Sequence, residues 1–141
     1  MPLILIAMFA SASVSTHAQT ARGVRAEVPF DFIVGDKTIS AGHIIARGVS
    51  ADMAGSLAIS NLDQGETALR VGRSLLATDT SDQCKLVFHK FGNRYYLAQI
   101  WTPGYKAWEV VKSKEERSLE REMRTVKNFK LEPVVLAARI Q

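Results

Sequence analysis

The chain has 141 residues, of which 47% are hydrophobic and 23% are charged, and its formal net charge is +4 at pH 7. This composition is typical of one folded globular domain and excludes a disordered or fibrous chain. A chain of this length buries roughly two thirds of its unfolded surface, so it needs no metal ion or disulfide framework to fold. The single cysteine, Cys84, excludes an internal disulfide bond. It leaves a buried thiol, the commoner case, or an intermolecular bridge.

The N-terminus has the pattern of a secretory signal peptide over residues 1–18. Leu3–Ala12 form an apolar block, and Thr16 and Ala18 then occupy the −3 and −1 positions of a cleavage site. We therefore predict cleavage before Gln19. The mature protein should be secreted or periplasmic without a transmembrane span, because the block is too short to cross a bilayer. No Lys or Arg precedes the block, so a start further upstream or an uncleaved anchor are the alternatives.

A flexible lead over residues 19–27 is expected to precede a single β-rich domain over residues 28–141. Apolar, β-branched runs alternate there with Gly and Asp turns about every ten residues. This spacing predicts a mainly β fold, either an antiparallel β-sandwich or a partly closed β-barrel. The predicted strands before the centre of the chain are Val28–Val34, His43–Val49, Ser56–Leu62 and Thr67–Ala77.

The segment Lys85–Gly104 predicts a β-hairpin at the centre of the sheet. Gly92 and Asn93 both tolerate the positive φ that a tight turn requires, and the flanking residues are aromatic or branched. Both predicted faces are largely apolar, so both should be covered. Alternation assigns Leu86, Phe88, Tyr95, Leu97 and Trp101 to one face, and Val87, His89, Phe91, Tyr96, Ala98 and Ile100 to the other.

One helix is predicted near the C-terminus, from about Lys114 to Lys127. Ser113 and Glu116 have the spacing of a capping box, and apolar residues then recur at helical spacing. Pro133–Ile140 is β-branched and apolar enough to form a further strand or a loose tail. The apolar stripe expected to pack on the sheet is Leu119, Met123 and Val126.

Several short runs between residue 28 and about residue 124 form a recognisable pattern. They are Val28-Pro29-Phe30-Asp31-Phe32, Lys85-Leu86-Val87-Phe88-His89, Arg94-Tyr95-Tyr96-Leu97, Ile100-Trp101 and Lys112-Ser113. This pattern resembles an uncharacterised family of small secreted proteins from soil bacteria of the acidobacterial group. The resemblance implies export and assigns no activity, substrate or functional residue. The chain departs from it at His43-Ile44-Ile45, where the family more often has an acidic or basic residue followed by Tyr.

The sequence lacks the constellations that catalysis or metal binding would need. His43 and His89 remain after cleavage, without an H-x-H, HExxH or Cys-rich spacing. We therefore predict no catalytic residue, no metal site, no cofactor and no enzymatic activity. A hydrolase that uses Asp31, His43 or His89 is a minority alternative, and it requires two of these side chains to lie within hydrogen-bond reach.

Two groups of residues are candidate binding sites. An aromatic cluster could stack on a sugar or an apolar ligand, or plug one end of a barrel, and basic residues on one flank of the helix could hold an anion or form solvated ion pairs. The aromatic cluster is Trp101, Tyr105 and Trp108, and the basic residues are Arg117, Arg121 and Arg124.

These features predict a secreted, non-catalytic β-domain that acts as a binding or structural module in the envelope or outside the cell. Its partner would be an envelope component or a small ligand. Nucleic acid is not expected, because the chain is exported. The alternative function is a carrier that holds an apolar or sugar ligand in a barrel mouth, which requires a cavity of several hundred cubic ångströms.

Overall fold

The computed structural model describes residues 23–49, 55–76, 84–102, 106–126 and 128–140. These residues form one large mixed β-sheet, not closed into a barrel, and a single helix near the C-terminus. The predicted fold class is confirmed, whereas the predicted signal peptide lies outside the described residues. The strands are β1 (Val24–Val28), β2 (Phe32–Val34), β3 (Lys37–Ile39), β4 (Gly42–Gly48), β5 (Ser56–Asn61), β6 (Glu66–Leu76), β7 (Lys85–Phe91), β8 (Arg94–Thr102), β9 (Lys106–Val110), β10 (Glu132–Ala137) and β11 (Arg139–Ile140), and the helix is α1 (Lys114–Arg124).

The sheet curls so that its two end strands are consecutive in the chain. The strand order is β10-β7-β8-β9-β6-β5-β4-β1-β11, and only Ala138 separates β10 from β11. The segment 132–140 therefore pairs with β7 at its beginning and with β1 at its end. This arrangement confirms the predicted C-terminal strand and places residues 24 and 25 beside residues 139 and 140. Off this path, β2 pairs with β3 and, in parallel, with β8.

The long strand β6 joins the two halves of the sheet. Its first residues pair with β5, and from Gly72 onward it pairs with β9. At Gly72 the chain lies so close to the core that an added Cβ would be 2.5 Å from Cδ1 of Leu57. Any larger residue would require Leu57 or the backbone to shift, so a glycine is favoured where the strand passes from one half of the sheet to the other.

The concave side of the sheet is filled by apolar side chains. One continuous cluster of buried residues runs from β1 to β9, and Phe30, Tyr95 and Trp108 pack at its margin. Edge-to-face contacts join Phe88 to Phe30 and Phe32, with centroids 5.1 Å and 5.2 Å apart. The largest fully buried members of the cluster are Phe32, Phe88, Ile39, Ile44, Leu57, Ile59, Leu86 and Leu97.

The predicted hairpin is confirmed, but its assignment of faces is wrong near the end. Phe91 lies opposite Arg94, so Gly92 and Asn93 form the turn, and Gly92 has a φ of 61°. Val87 lies opposite Gln99 whereas Phe88 lies opposite Leu97, so Ala98 is an extra residue in a β-bulge. The bulge reverses the alternation beyond it. As a result, Ile100 faces the core and Trp101 lies on the other face.

The first strand also differs from the prediction. The predicted flexible lead over residues 19–27 is wrong from Val24 onward, because β1 begins there and buries Val24 and Ala26. Residues 19–22 lie outside the described residues. The predicted strand Val28–Val34 is divided into the end of β1 and β2. Pro29 lies at the division, where its missing N–H cannot continue the ladder.

Helix α1 has the predicted N-cap but presents another face to the sheet. The hydroxyl of Ser113 accepts a hydrogen bond from the Glu116 N–H at 3.1 Å. The helix ends at Arg124 rather than Lys127, and the predicted packing residue Val126 is 56% exposed. The buried helix residues are instead Glu116 and Glu120. No helix in the described ranges is long and apolar enough to cross a membrane.

Candidate anion-binding groove

Helix α1 forms one wall of an open groove of about 700 Å³. Helical spacing explains its composition, because positions three, four and seven residues apart lie on one side of a helix. We call it the cationic groove. It is lined by Lys112, Lys114, Arg117, Glu120, Arg121 and Arg124, and thus includes all three arginines predicted as an anion site.

One carboxylate, that of Glu120, is ion-paired within the groove. Its Oε2 accepts a hydrogen bond from Lys112 Nζ at 2.6 Å, and its Oε1 accepts one from Arg124 Nη2 at 2.8 Å. The hydrogen bond from Lys112 has the largest effect on the pKa of Glu120 and lowers it. Burial raises this pKa to a smaller extent, and the bond from Arg124 lowers it, so the pKa lies below its usual value. The Glu120 side chain is only 12% exposed, so it anchors the two cations rather than projecting into solvent.

The other three cations of the groove have no carboxylate partner among the described residues. Arg121 makes one long hydrogen bond of 3.4 Å to the hydroxyl of Ser118. Lys114 and Arg117 are exposed, and neither forms an ion pair within the described ranges. The groove therefore presents uncompensated positive charge to solvent, and its guanidinium groups can donate paired hydrogen bonds to carboxylate or phosphate oxygens.

Buried polar groups without a partner occur both on α1 and on the sheet strands β7 and β8. They belong to Glu116, His89 and Tyr96. The atoms Oε1 of Glu116, Nδ1 of His89 and Oη of Tyr96 are buried without a hydrogen-bond partner in the described structure. His89 and Tyr96 are directly opposite each other on β7 and β8, as predicted.

Burial shifts the pKa values of Glu116 and His89 in opposite directions. Desolvation raises the pKa of Glu116 from 4.5 to about 7, against the opposing influence of the Lys112 charge. Desolvation, followed by the Lys112 charge, lowers the pKa of His89. Both groups interact electrostatically with Lys112 and Glu120, which line the groove. Below pH 7 Glu116 is therefore largely protonated and does not cancel the positive charge of the groove.

The predicted aromatic cluster is not assembled on one surface. Trp108 lies opposite Ile100 and packs at the margin of the core, whereas Trp101 lies opposite Ala107 on the other face. The indole N–H of Trp101 donates to Gln99 Oε1 at 3.0 Å, and its ring lies 4.6 Å from Lys85 Nζ. The third member, Tyr105, lies outside the described residues.

The residues of the hydrolase alternative also lie in separate surroundings. Asp31 accepts a hydrogen bond from the Ala41 N–H at 2.9 Å, and His43 Nδ1 lies 3.0 Å from a carboxylate oxygen of Asp63. His89 lies on β7, opposite Tyr96 on β8. No hydrogen bond joins any two of these three residues in the described part of the chain.

Metal-binding and thiol chemistry find little support in the geometry. Among the described residues, no group of three or more His, Cys, Asp or Glu side chains is placed to hold a metal ion. Cys84 is a free, buried thiol, which confirms the prediction of burial, and this burial raises its pKa. A raised pKa reduces the thiolate fraction and therefore the reactivity of the residue.

Comparison with protein-family models, with curated proteins and with solved structures gives no match to the chain. The resemblance to the acidobacterial secreted family therefore stays a prediction from the motifs. Sequence reasoning missed the burial of two helix residues, Glu116 and Glu120. The spacing of Glu116 from Ser113 was a signal for the start of the helix, but it carries no information about which side of the helix is buried.

Proposed function

We propose that the protein is an exported, non-catalytic β-domain that binds an acidic polysaccharide in the cell envelope or outside the cell. The observation that carries this proposal is the charge of the cationic groove. Five basic residues and one carboxylate line it, and the carboxylate is already paired. Clustered positive charge raises the local concentration of an anionic partner and increases its rate of association.

The shape of the groove favours a polymer over a compact ligand. From Lys114 to Arg124 the helix rises by roughly 15 Å, at about 1.5 Å per residue. Cations distributed over this length can contact several carboxylates of a polymer chain at once. Each contact is weak because it is exposed, so binding should depend on their number and on the salt concentration.

A polysaccharide is preferred to a lipid surface because of the composition of α1. The helix exposes charged residues on its outer side, and its intermediate apolar residues, Leu119 and Met123, are partly covered. A helix that lies in a membrane interface needs a broad exposed apolar face. The groove offers charge without such a face.

The geometry gives less support to the carrier alternative. Side chains fill the concave side of the sheet, and Trp101 and Trp108 lie on opposite faces. Native mass spectrometry of the exported protein provides a direct test of this alternative. A carrier would show the additional mass of an apolar or sugar ligand that is lost on denaturation, whereas a polysaccharide-binding module with a packed interior should carry no such ligand.

The proposal is tested by measuring binding of polygalacturonate to the protein by isothermal titration calorimetry at low salt. The groove variant combines Arg117→Gln with Arg121→Gln. The control variant combines Arg47→Gln with Arg73→Gln, two exposed arginines on β4 and β6, and it has the same net charge. We expect the groove variant to bind about tenfold more weakly or worse, because it loses two charge-assisted contacts. The control should differ from the wild type by less than about twofold.

Equal losses in the two variants would contradict the proposal, because they would indicate a general effect of net charge. Binding to vesicles that contain anionic lipid, without binding to polygalacturonate, would also contradict it and would identify a membrane surface as the partner. The salt dependence gives an internal check. Binding at the groove should weaken steeply as the ionic strength rises from 20 to 200 mM, roughly as the Debye length falls below the spacing of the charges.

A further inference from the structure

Two arginines of like charge lie directly opposite each other where the sheet curls. Arg25 on β1 pairs in register with Arg139 on β11. Side chains that are directly opposite in an antiparallel pair have Cβ atoms about 4.5–5.5 Å apart, and like charges in these positions destabilise the pair. The arrangement therefore requires an explanation beyond strand pairing.

Neither arginine is neutralised by a carboxylate ion pair within the described residues. Arg25 Nε is buried and has no hydrogen-bond partner there. The hydrogen bond from the His43 backbone N–H is the largest cause of the lowered pKa of Asp63, and the charge of Arg25 is the smallest. The Asp63 oxygens are engaged by His43, which donates its backbone N–H at 2.9 Å and places Nδ1 at 3.0 Å.

The two arginines share a pocket of about 330 Å³. This volume lies at the lower end of the range for small-molecule sites. Its lining also includes the small side chains of Ala137 and Ala138 and the polar groups of His43 and Glu27. An oxyanion between the arginines would relieve their repulsion and supply the missing partner of Arg25 Nε.

We propose that this pocket is a binding site for a small organic oxyanion, a carboxylate or a phosphate monoester, held between Arg25 and Arg139. The two guanidinium groups donate hydrogen bonds to its oxygens, because their planar arrays of donors match carboxylate and phosphate geometry. Glu27, which also lines the pocket, is suited to accept a hydrogen bond from a hydroxyl or amino group of the same ligand. This site uses β1, β4 and the C-terminal segment, and it shares no lining residue with the cationic groove.

The site is tested by following backbone amide chemical shifts of the isotope-labelled protein during titration with inorganic phosphate and, separately, with acetate. Chloride keeps the ionic strength constant. We expect saturable shifts at residues 24–27 and 137–140 with at least one of the probes. Arg25→Gln and Arg139→Gln should each weaken this binding by about tenfold or more, whereas the control variant Arg47→Gln should leave it unchanged.

The variant Arg139→Lys guards against loss of folding at the short strand β11. It keeps the charge and loses the paired donors, so binding should be weaker than in the wild type and stronger than in Arg139→Gln. Saturation with phosphate alone or with acetate alone supports the site and identifies which oxyanion it prefers. The absence of saturable shifts at residues 24–27 and 137–140 with both probes would overturn the proposal, even if shifts occurred along α1. Binding that is unaffected by Arg25→Gln would overturn it as well.

Discussion

Substitution of Glu116 by Gln should stabilise the protein at neutral pH. Glu116 is 3% exposed, its Oε1 has no hydrogen-bond partner in the described structure, and burial raises its pKa to about 7. Folding therefore favours the protonated, neutral form of this carboxyl group. Glutamine has nearly the same shape and is neutral at every pH, so it removes the cost of burying a charge without creating a cavity.

The magnitude follows from the difference in proton binding. Between pH 4.5 and pH 7 the folded chain retains a proton on Glu116 that the unfolded chain has released. The free energy of unfolding of the wild type should therefore fall as the pH rises, by about 1.36 kcal/mol per pH unit for one proton. Relative to Glu116→Gln, the wild type should lose about 3 kcal/mol over this interval and little more above it.

The measurement is urea denaturation of both proteins at pH 4.5, 5.5, 6.5 and 7.5. The difference between them isolates Glu116, because the lowered pKa values of His89 and Glu120 affect both proteins alike. Glu115→Gln is the matched control, since Glu115 is exposed and pairs with Arg94 on the surface. The reasoning would be refuted if the difference in free energy of unfolding between the wild type and Glu116→Gln did not change with pH. It would also be refuted if Glu116→Gln were less stable than the wild type at pH 7.5.

Three further outcomes follow from the fold. Gly72→Ala should lower the free energy of unfolding by about 1–3 kcal/mol, because the new Cβ would collide with Leu57; an unchanged urea midpoint would show that the strand can move aside. Ser113→Ala should cost about 1 kcal/mol through loss of the N-cap hydrogen bond, whereas Ser118→Ala, within the same helix, should cost clearly less in the same urea titration. Cys84 should react with a thiol reagent such as DTNB only slowly in the folded protein and rapidly in urea, because it is buried and its pKa is raised; equal rates in both conditions would contradict its burial.

Local signals in the sequence predicted much of the fold. Gly92 and Asn93 mark the hairpin turn because positive φ is a property of single residues, and Ser113 marks the start of α1 because an N-cap needs only its own helix. The bulge at Ala98 was not predictable in this way. It depends on the register between two strands, and one extra residue there reverses the faces of Ile100 and Trp101.

The two candidate sites differ in how far the sequence could reveal them. The arginines of α1 lie within eight positions of one another, so helical spacing alone placed Arg117, Arg121 and Arg124 on one flank. Glu120 lies one turn before Arg124, and it forms ion pairs with Arg124 and with Lys112. Arg25 and Arg139 come from opposite ends of the chain, and only the curl of the sheet brings them together.

The central claim is that the cationic groove binds an acidic polysaccharide, and mapping of amide chemical shifts during titration with polygalacturonate tests it most directly. We predict that the largest shifts fall on residues 112–124, and that they become much smaller in the variant with Arg117→Gln and Arg121→Gln. Shifts that are largest elsewhere on the sheet, or that persist unchanged in this variant, would contradict the claim.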